Sequence, residues 1–167
     1  MTDAETKAAD GETKKYNIAE DPDEPTLEDL TSPDLTLNDV LDVFFGTGEE
    51  ADDVEIPLTL VVQGLVVSGT AISRPAWVRG LTESGGETEG TVTHALRLRW
   101  EQDQVDSVAM RDRRIEAGLP SLTRKFVHLK DASLMPSGGN GRVVAPYFRA
   151  RLSEIGGWTL GAATFNE

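Results

Sequence analysis

The stretch from residue 56 to residue 73 is the feature that most constrains the fold of this chain. Apolar residues occupy alternate positions from Ile56 to Val62, which is the period that places side chains on one face of a β-strand. Gly64 then interrupts the pattern, and apolar residues resume over 65–73. A glycine between two such runs predicts a turn or bulge joining two strands. The body of the chain is therefore expected to contain a β-sheet.

Four later segments also alternate between apolar and polar residues, and short glycine-containing stretches separate several of them. No alternation of strand and helix of the kind that builds a parallel sheet is visible. The sequence therefore predicts a mainly β (α+β) fold of about six strands, arranged as a small antiparallel barrel or sandwich similar to Sm-like or SH3-like barrels. The later predicted strands are 91–100, 125–132, 147–152 and 158–165.

Two segments are predicted to be helical. Thr36 and Asp39 resemble a capping box, and the apolar residues after them fall at helical spacing, which predicts a helix over about 36–45 that ends at Gly46. Over about 101–119 acidic residues come first and arginines last, the order that the helix dipole favours. This second segment is expected to be a helical excursion between strands.

The predicted core follows from the inward face of each strand. We expect His94, on the apolar side of the strand predicted at 91–100, to be a hydrogen-bonded core histidine rather than a general base. The apolar residues predicted to be buried are Leu60, Val62, Val67, Leu98, Val127, Leu152 and Leu160.

Charge divides the chain into two parts. The formal net charge is -13, of which residues 1–55 carry -15 and residues 56–167 carry +2. Because residues 1–34 contain few apolar side chains, they are predicted to be a disordered acidic arm, followed by a single β-rich domain at 35–167. The arm is either a solubilising tail or a docking arm for a basic patch on a partner or on its own body. That patch comprises Arg111, Arg113, Arg114, Arg124 and Lys125.

The residue inventory excludes several kinds of chemistry. The chain has no cysteine and only two histidines, which excludes thiolate sites and multi-histidine metal centres. His128 and Asp131 lie three positions apart on a predicted strand, so their side chains point to opposite faces and do not form a dyad. No catalytic residue, no cofactor and no metal ligand is predicted. Apolar runs of about five residues are too short to span a membrane, and no secretory signal is visible, so a cytoplasmic protein is expected.

Three segments together resemble a known family. They are LTLVVQGLVVSGTAIS at 58–73, FVHLKDA at 126–132 and FRARLSEIGGWTLG at 148–161. In this order they resemble the U-type accessory proteins of gas vesicles, the gas-filled protein shells of buoyant cells. No catalytic residue is carried over from that family.

The resemblance implies a non-enzymatic accessory protein that helps to form, organise or cluster gas vesicles. Its expected partners are shell or other accessory proteins and further copies of itself, without nucleic acid or membrane. The alternative is a small β-barrel that acts as a protein- or RNA-binding module of unrelated function. Under the first hypothesis the acidic arm at 1–34 is expected to restrain association, and salt is expected to relieve that restraint.

Overall fold

The structure is a computed structural model. It describes residues 15–49, 51–86, 88–136, 138 and 141–163.

Five strands form one antiparallel sheet in the order β4-β3-β2-β1-β5. Within the described residues the sheet is open, with β4 and β5 at its two edges, so the predicted closure into a barrel is not observed. The strands are β1 (Ile56–Val62), β2 (Leu65–Ile72), β3 (Phe126–Pro136), β4 (Val143–Arg151) and β5 (Ile155–Leu160).

The predicted hairpin between β1 and β2 is confirmed. Leu60 faces Val67 in the register, and the two-residue connection is Gln63 and Gly64. Both connecting residues have positive φ angles, 49° and 82°, as a tight hairpin turn requires. A glycine adopts that geometry without steric cost, which explains its place in the turn.

Helices occupy more of the described chain than strands do, so the fold is mixed α and β. The helix predicted at 36–45 is confirmed, but its N-cap is Asp34, whose side chain accepts a hydrogen bond from the Leu37 N–H at 2.9 Å. The capping box predicted at Thr36 and Asp39 is therefore wrong. The described α-helices are α1 (Leu27–Leu30), α2 (Leu35–Phe45), α3 (Arg74–Ser84) and α4 (Val92–Glu116).

One face of the sheet packs against α2 and forms the main apolar core. Leu37, Leu41 and Phe45 of α2 are buried against side chains from β1, β2 and β3. Five of the residues predicted to be buried lie in this core, which confirms the inward face assigned to β1 and β2. They are Leu60, Val62, Val67, Val127 and Leu152.

The strand predicted at 91–100 is wrong, because these residues begin α4. Thr91 caps the helix, and Arg97 pairs with Glu101 one turn later at 2.6 Å. As a result Leu98 is 49% exposed rather than buried, and His94 is half-buried on a helix instead of lying in the sheet. The excursion predicted at 101–119 is the second part of the same helix.

The last strand begins earlier than predicted. Gly156 and Gly157 lie inside β5, and the 3-10 turn Leu152–Glu154 just before it connects β4 at one edge of the sheet to β5 at the other. Leu160, which was expected to be buried, is 51% exposed because it lies on an edge strand. The end of the predicted strand, 164–165, lies outside the described residues.

Residues 15–34, which composition predicts to be part of a disordered arm, contact the body of the protein in the structure. They include α1, and the backbone carbonyl of Asp29 accepts a hydrogen bond from the Thr123 N–H at 2.9 Å. This segment has few apolar side chains, but polar partners in the body of the protein give it contacts that composition alone does not reveal. The first part of the predicted arm, 1–14, lies outside the described residues.

Candidate interaction surfaces

A buried ion pair joins the N-terminal segment to the end of α4. The guanidinium of Arg114 binds both carboxylate oxygens of Asp21, at 2.9 and 2.8 Å, and its side chain is only 1% exposed. Two further acceptors satisfy the same group: a carboxylate oxygen of Asp23 at 2.7 Å and the Pro120 carbonyl at 2.9 Å. The contact with Arg114 is the main reason that the pKa of Asp21 lies well below its usual range. Paired and hydrogen-bonded in this way, both charges are compensated inside the protein.

A second contact continues the same interface along the segment that follows α4. The ammonium group of Lys125 pairs with Asp29, which holds the pKa of that carboxyl below its usual range. Arg113 pairs with Asp23 nearby. We call the interface formed by these pairs and the Asp21–Arg114 pair the ionic clasp. In the ionic clasp, residues of the acidic segment bind the basic patch of the same chain, which was one of the alternatives considered from the sequence.

Arg124 ties the same region to the end of α2. Its guanidinium donates to Asp42 at 3.0 Å and to the Gly46 carbonyl at 2.9 Å, and it also pairs with Glu49. A cation at the C-terminal end of a helix is favoured because it faces the negative end of the helix dipole. Four of the five basic residues named from the sequence therefore hold acidic residues of the N-terminal part. The fifth, Arg111, pairs with its neighbour Asp112 at 2.9 Å.

A cleft of about 420 Å³ opens beside the clasp, between α4, the loop after α2 and the ends of β3 and β4. We call it the basic cleft because six cationic side chains line it, against the carboxylates of Asp29 and Glu49. The cations are Arg74, Arg111, Arg114, Arg124, Lys125 and Arg149.

His128 lies in the wall of the basic cleft and is 4% exposed. Its ring contacts the ring of Trp77 on α3, with 5.2 Å between centroids. Burial, assisted by the charges of Arg149, Arg74 and Arg124, lowers the pKa of His128 to about 3, so the ring is neutral at ordinary pH. The side chain of the preceding residue, Val127, lies in the core with α2, so His128 and Val127 occupy opposite faces of β3.

The second helical layer was not predicted from the sequence. α3 packs against β3 and β4 through a small cluster that includes Trp77, Val78 and Tyr147. Gly80 permits this approach, because a Cβ there would lie 2.1 Å from the Tyr147 hydroxyl oxygen. Pro75, which breaks the strand pattern of the sequence, lies in the first turn of α3, where proline is common because its missing N–H has no helical partner to lose.

The two edges of the sheet carry different side chains. β4 contains Pro146, Arg149 and Arg151, and prolines and charges of this kind oppose pairing with another strand. β5 has no charged residue and no proline over its whole length, and it pairs only with β1 among the described residues. The backbone of β5 is therefore the less protected edge.

Within the part of the chain that the structure describes, no group of acidic or histidine side chains is arranged to hold a metal ion. No helix in that part is long and apolar enough to cross a membrane. His94, considered as a general base from the sequence, and His128 lie on different elements, α4 and β3.

Comparison with known proteins gives one match. The model of a family described as gas vesicle protein GvpU-like matches residues 38–163. No curated protein and no solved structure matches the chain.

Proposed function

The chain belongs to the gas vesicle protein GvpU-like family, and on that premise we propose that it is a non-enzymatic accessory protein that organises gas vesicles by associating with further copies of itself. The family is not a known enzyme family. The resemblance of residues 58–73, 126–132 and 148–161 to that family agrees with the match, which spans all three segments. The proposed site of action is the cytoplasm, on or between gas vesicles and their shell or accessory proteins.

The unprotected edge strand β5 is the observation that carries this proposal. An edge strand presents unpaired backbone groups that another strand can bind. β5 offers them without a charge or proline, while β4 is protected by Pro146, Arg149 and Arg151. Two copies that pair through β5 would form a closed two-fold dimer, because each copy contributes the same edge to the interface.

Salt is expected to strengthen this association. Two copies that each carry -13 repel one another, and the screening length falls from about 30 Å at 0.01 M salt to about 8 Å at 0.15 M. Deleting residues 1–14 removes acidic residues without touching the clasp, so association should then begin at lower salt. Deleting residues 1–34 also removes Asp21 and leaves the cation of Arg114 without that partner. Comparing the two deletions therefore separates the docking role of the arm from its charge.

The test compares one added lysine on each edge. Thr159→Lys places a charge on β5, where the Thr159 side chain is exposed and, among the described residues, donates only to the carbonyl of Leu160. Val144→Lys adds the same charge to an exposed position on β4. Light scattering across a concentration series then gives the dissociation constant of each variant.

We expect Thr159→Lys to weaken association about tenfold, equivalent to about 1.4 kcal/mol, while Val144→Lys leaves it unchanged or stronger. Both substitutions make the net charge less negative, so simple charge repulsion predicts stronger association for both. Equal behaviour of the two variants, or a monomeric wild-type protein at all salt concentrations, would overturn the proposed role of β5.

A further inference from the structure

The basic cleft holds two arginines whose charge is not neutralised in the way that the clasp neutralises Arg114. Among the described residues, the ion-pair contact of the Arg74 guanidinium is with Asp103, at 4.0 Å. Arg149 forms no ion pair with the described residues, and its guanidinium stacks on the ring of Phe126 at 3.4 Å. Burial and the charge of Arg74 lower the pKa of Arg149, which shows that the two cations oppose each other.

His128 adds a polar group without adding charge. Only 4% of the residue is exposed, and it forms no hydrogen bond with any described residue through its side chain. Its ring lines the same cleft as Arg74 and Arg149, and its contact with Trp77 fixes the ring plane. A neutral imidazole has one N–H to donate, so His128 can hydrogen-bond an anion that enters the cleft.

The cleft also has the size and the apolar surface of a small-molecule site. Its volume of about 420 Å³ lies within the usual range for ligand pockets. Met110 and Leu122 line the wall beside the cationic groups. Glu49 lies in the same cleft, where its carboxylate pairs with Arg124 and accepts a hydrogen bond from the Arg74 backbone N–H. Among the described residues it forms no ion pair with the guanidinium of Arg74 or Arg149, although its charge offsets part of theirs.

The geometry points to a binding site for a small, multiply charged oxyanion, held between Arg74 and Arg149 with His128 donating a hydrogen bond from the wall. Phosphate and carboxylate groups share the required chemistry, since both accept charge-assisted hydrogen bonds from guanidinium groups. A ligand of this kind would relieve the repulsion between the two cations. The site is separate from β5 and would give the protein a response to a metabolite that the family match does not describe.

The experiment titrates the full-length protein with pyrophosphate and, in a second series, with citrate, at constant ionic strength. Calorimetry gives the dissociation constant, and the nuclear magnetic resonance signals of the His128 ring report whether the anion reaches the cleft. Preference for pyrophosphate assigns a phosphate ligand, and preference for citrate assigns a carboxylate ligand. Saturable binding that shifts the His128 signals supports the site.

Matched variants separate this site from general attraction to a basic surface. Arg149→Gln and Arg74→Gln should each weaken binding about tenfold or more, the loss expected for a charged hydrogen bond. Arg151→Gln is the control. It removes the same charge from the same strand as Arg149→Gln does, but Arg151 does not line the cleft. It should alter binding by less than a factor of about two. Thermal melting of each variant verifies that it is folded.

Three results would overturn the site. The first is an absence of saturable binding of either anion to the wild-type protein at millimolar concentration. The second is equal weakening by Arg151→Gln and Arg149→Gln, which would indicate surface attraction only. The third is binding that leaves the His128 signals unchanged. Arg74→Gln, on a different element, provides the same test if Arg149→Gln fails to fold.

Discussion

The two sides of the sheet differ in how far they depend on charged groups. On the α2 side, aliphatic side chains around Leu60 form a core without an ionised group. On the other side, the ionic clasp and the basic cleft place Arg114 and His128 out of solvent next to further charges. The stability of the apolar core depends on how much apolar surface is buried and how well the side chains fit together. The stability of the charged side depends on ion pairing, on the protonation of its groups and, for exposed groups, on the salt concentration.

The two sides should therefore lose stability in different ways when a side chain is replaced. Truncating an apolar side chain in the core lowers stability at every pH and salt concentration. Removing one partner of a buried pair on the charged side leaves an uncompensated ion behind, and the protonation of His128 links stability to pH. The following substitutions test whether the two sides respond in these separate ways.

Arg114→Met should have the largest effect. It removes the partner of Asp21 and leaves that carboxylate buried, so the free energy of unfolding should fall by about 3–5 kcal/mol. Adding Asp21→Asn should restore part of the loss, because the uncompensated charge is then removed. Chemical denaturation measures both variants. Arg113→Gln, an exposed neighbour, serves as the control, and an equally large loss there would contradict the special role of Arg114.

Leu60→Ala should lower the free energy of unfolding by about 2–5 kcal/mol, because it reduces the buried apolar area and leaves a cavity in the core. Unlike the effects on the charged side, this loss should be the same at low and high salt. Denaturation in 0.01 M and 0.5 M sodium chloride measures it. Leu98→Ala, at an exposed position on α4, should change stability by less than about 0.5 kcal/mol. A small loss for Leu60→Ala would show that the core is wrongly placed.

His128 should make stability depend on pH. Its pKa of about 3 in the folded protein lies below the ordinary value of 6.5, so below pH 6.5 the unfolded chain takes up a proton that the folded protein does not. The folded protein therefore has its full stability with respect to His128 above pH 6.5, and it loses stability as the pH falls from 6.5 towards 3. Between pH 6 and pH 5 the wild-type protein should lose about 1 kcal/mol more than His128→Gln does.

The control for this measurement is Val127→Ala on the same strand. Val127 is buried on the apolar side, so its removal should lower stability by the same amount at pH 6 and pH 5. The raised pKa of Glu49 acts in the opposite direction as pH falls, but it is present in all three proteins and cancels in the comparison. Identical pH slopes for wild type and His128→Gln would contradict the burial of a neutral histidine.

Lys125→Gln should have the smallest effect. The Lys125 side chain is 46% exposed, and a surface ion pair such as that with Asp29 contributes about 0–1 kcal/mol. Most of the loss should disappear in 0.5 M salt, because exposed charges are screened. Thermal melting at two salt concentrations measures it. A loss that persists at high salt would place Lys125 among the buried pairs instead.

Local periodicity was sufficient to predict one side of this molecule. β1, β2 and α2 bury their apolar residues on one face at the spacing of their own secondary structure, so neighbouring residues carry the information. The same reasoning was wrong at 91–100. Val92, Leu96 and Trp100 fall at a spacing of four as well as on one face of a strand, so the pattern fits either structure. Pairs such as Arg97–Glu101 favour the helix.

The charged side depends on contacts between distant residues. The opposite charges of the arm and the body indicated that docking was one possibility, but the pairing of Asp21 with Arg114 spans 93 positions and has no local signature. The cleft likewise combines Arg74, His128 and Arg149 from three elements. No spacing rule along the chain brings these residues together, which is why the sequence indicated Arg114 and Arg124 as part of a basic patch but neither Arg74 nor Arg149.

The most direct test of the proposed function uses gas vesicles themselves. Purified vesicles are mixed with wild-type protein, Thr159→Lys or Val144→Lys at 0.15 M salt, and clustering is measured by light microscopy. We expect the wild-type protein and Val144→Lys to gather vesicles into clusters, whereas Thr159→Lys should leave them dispersed. Clustering by all three proteins to the same extent, or by none of them, would contradict the claim that this protein organises gas vesicles through β5.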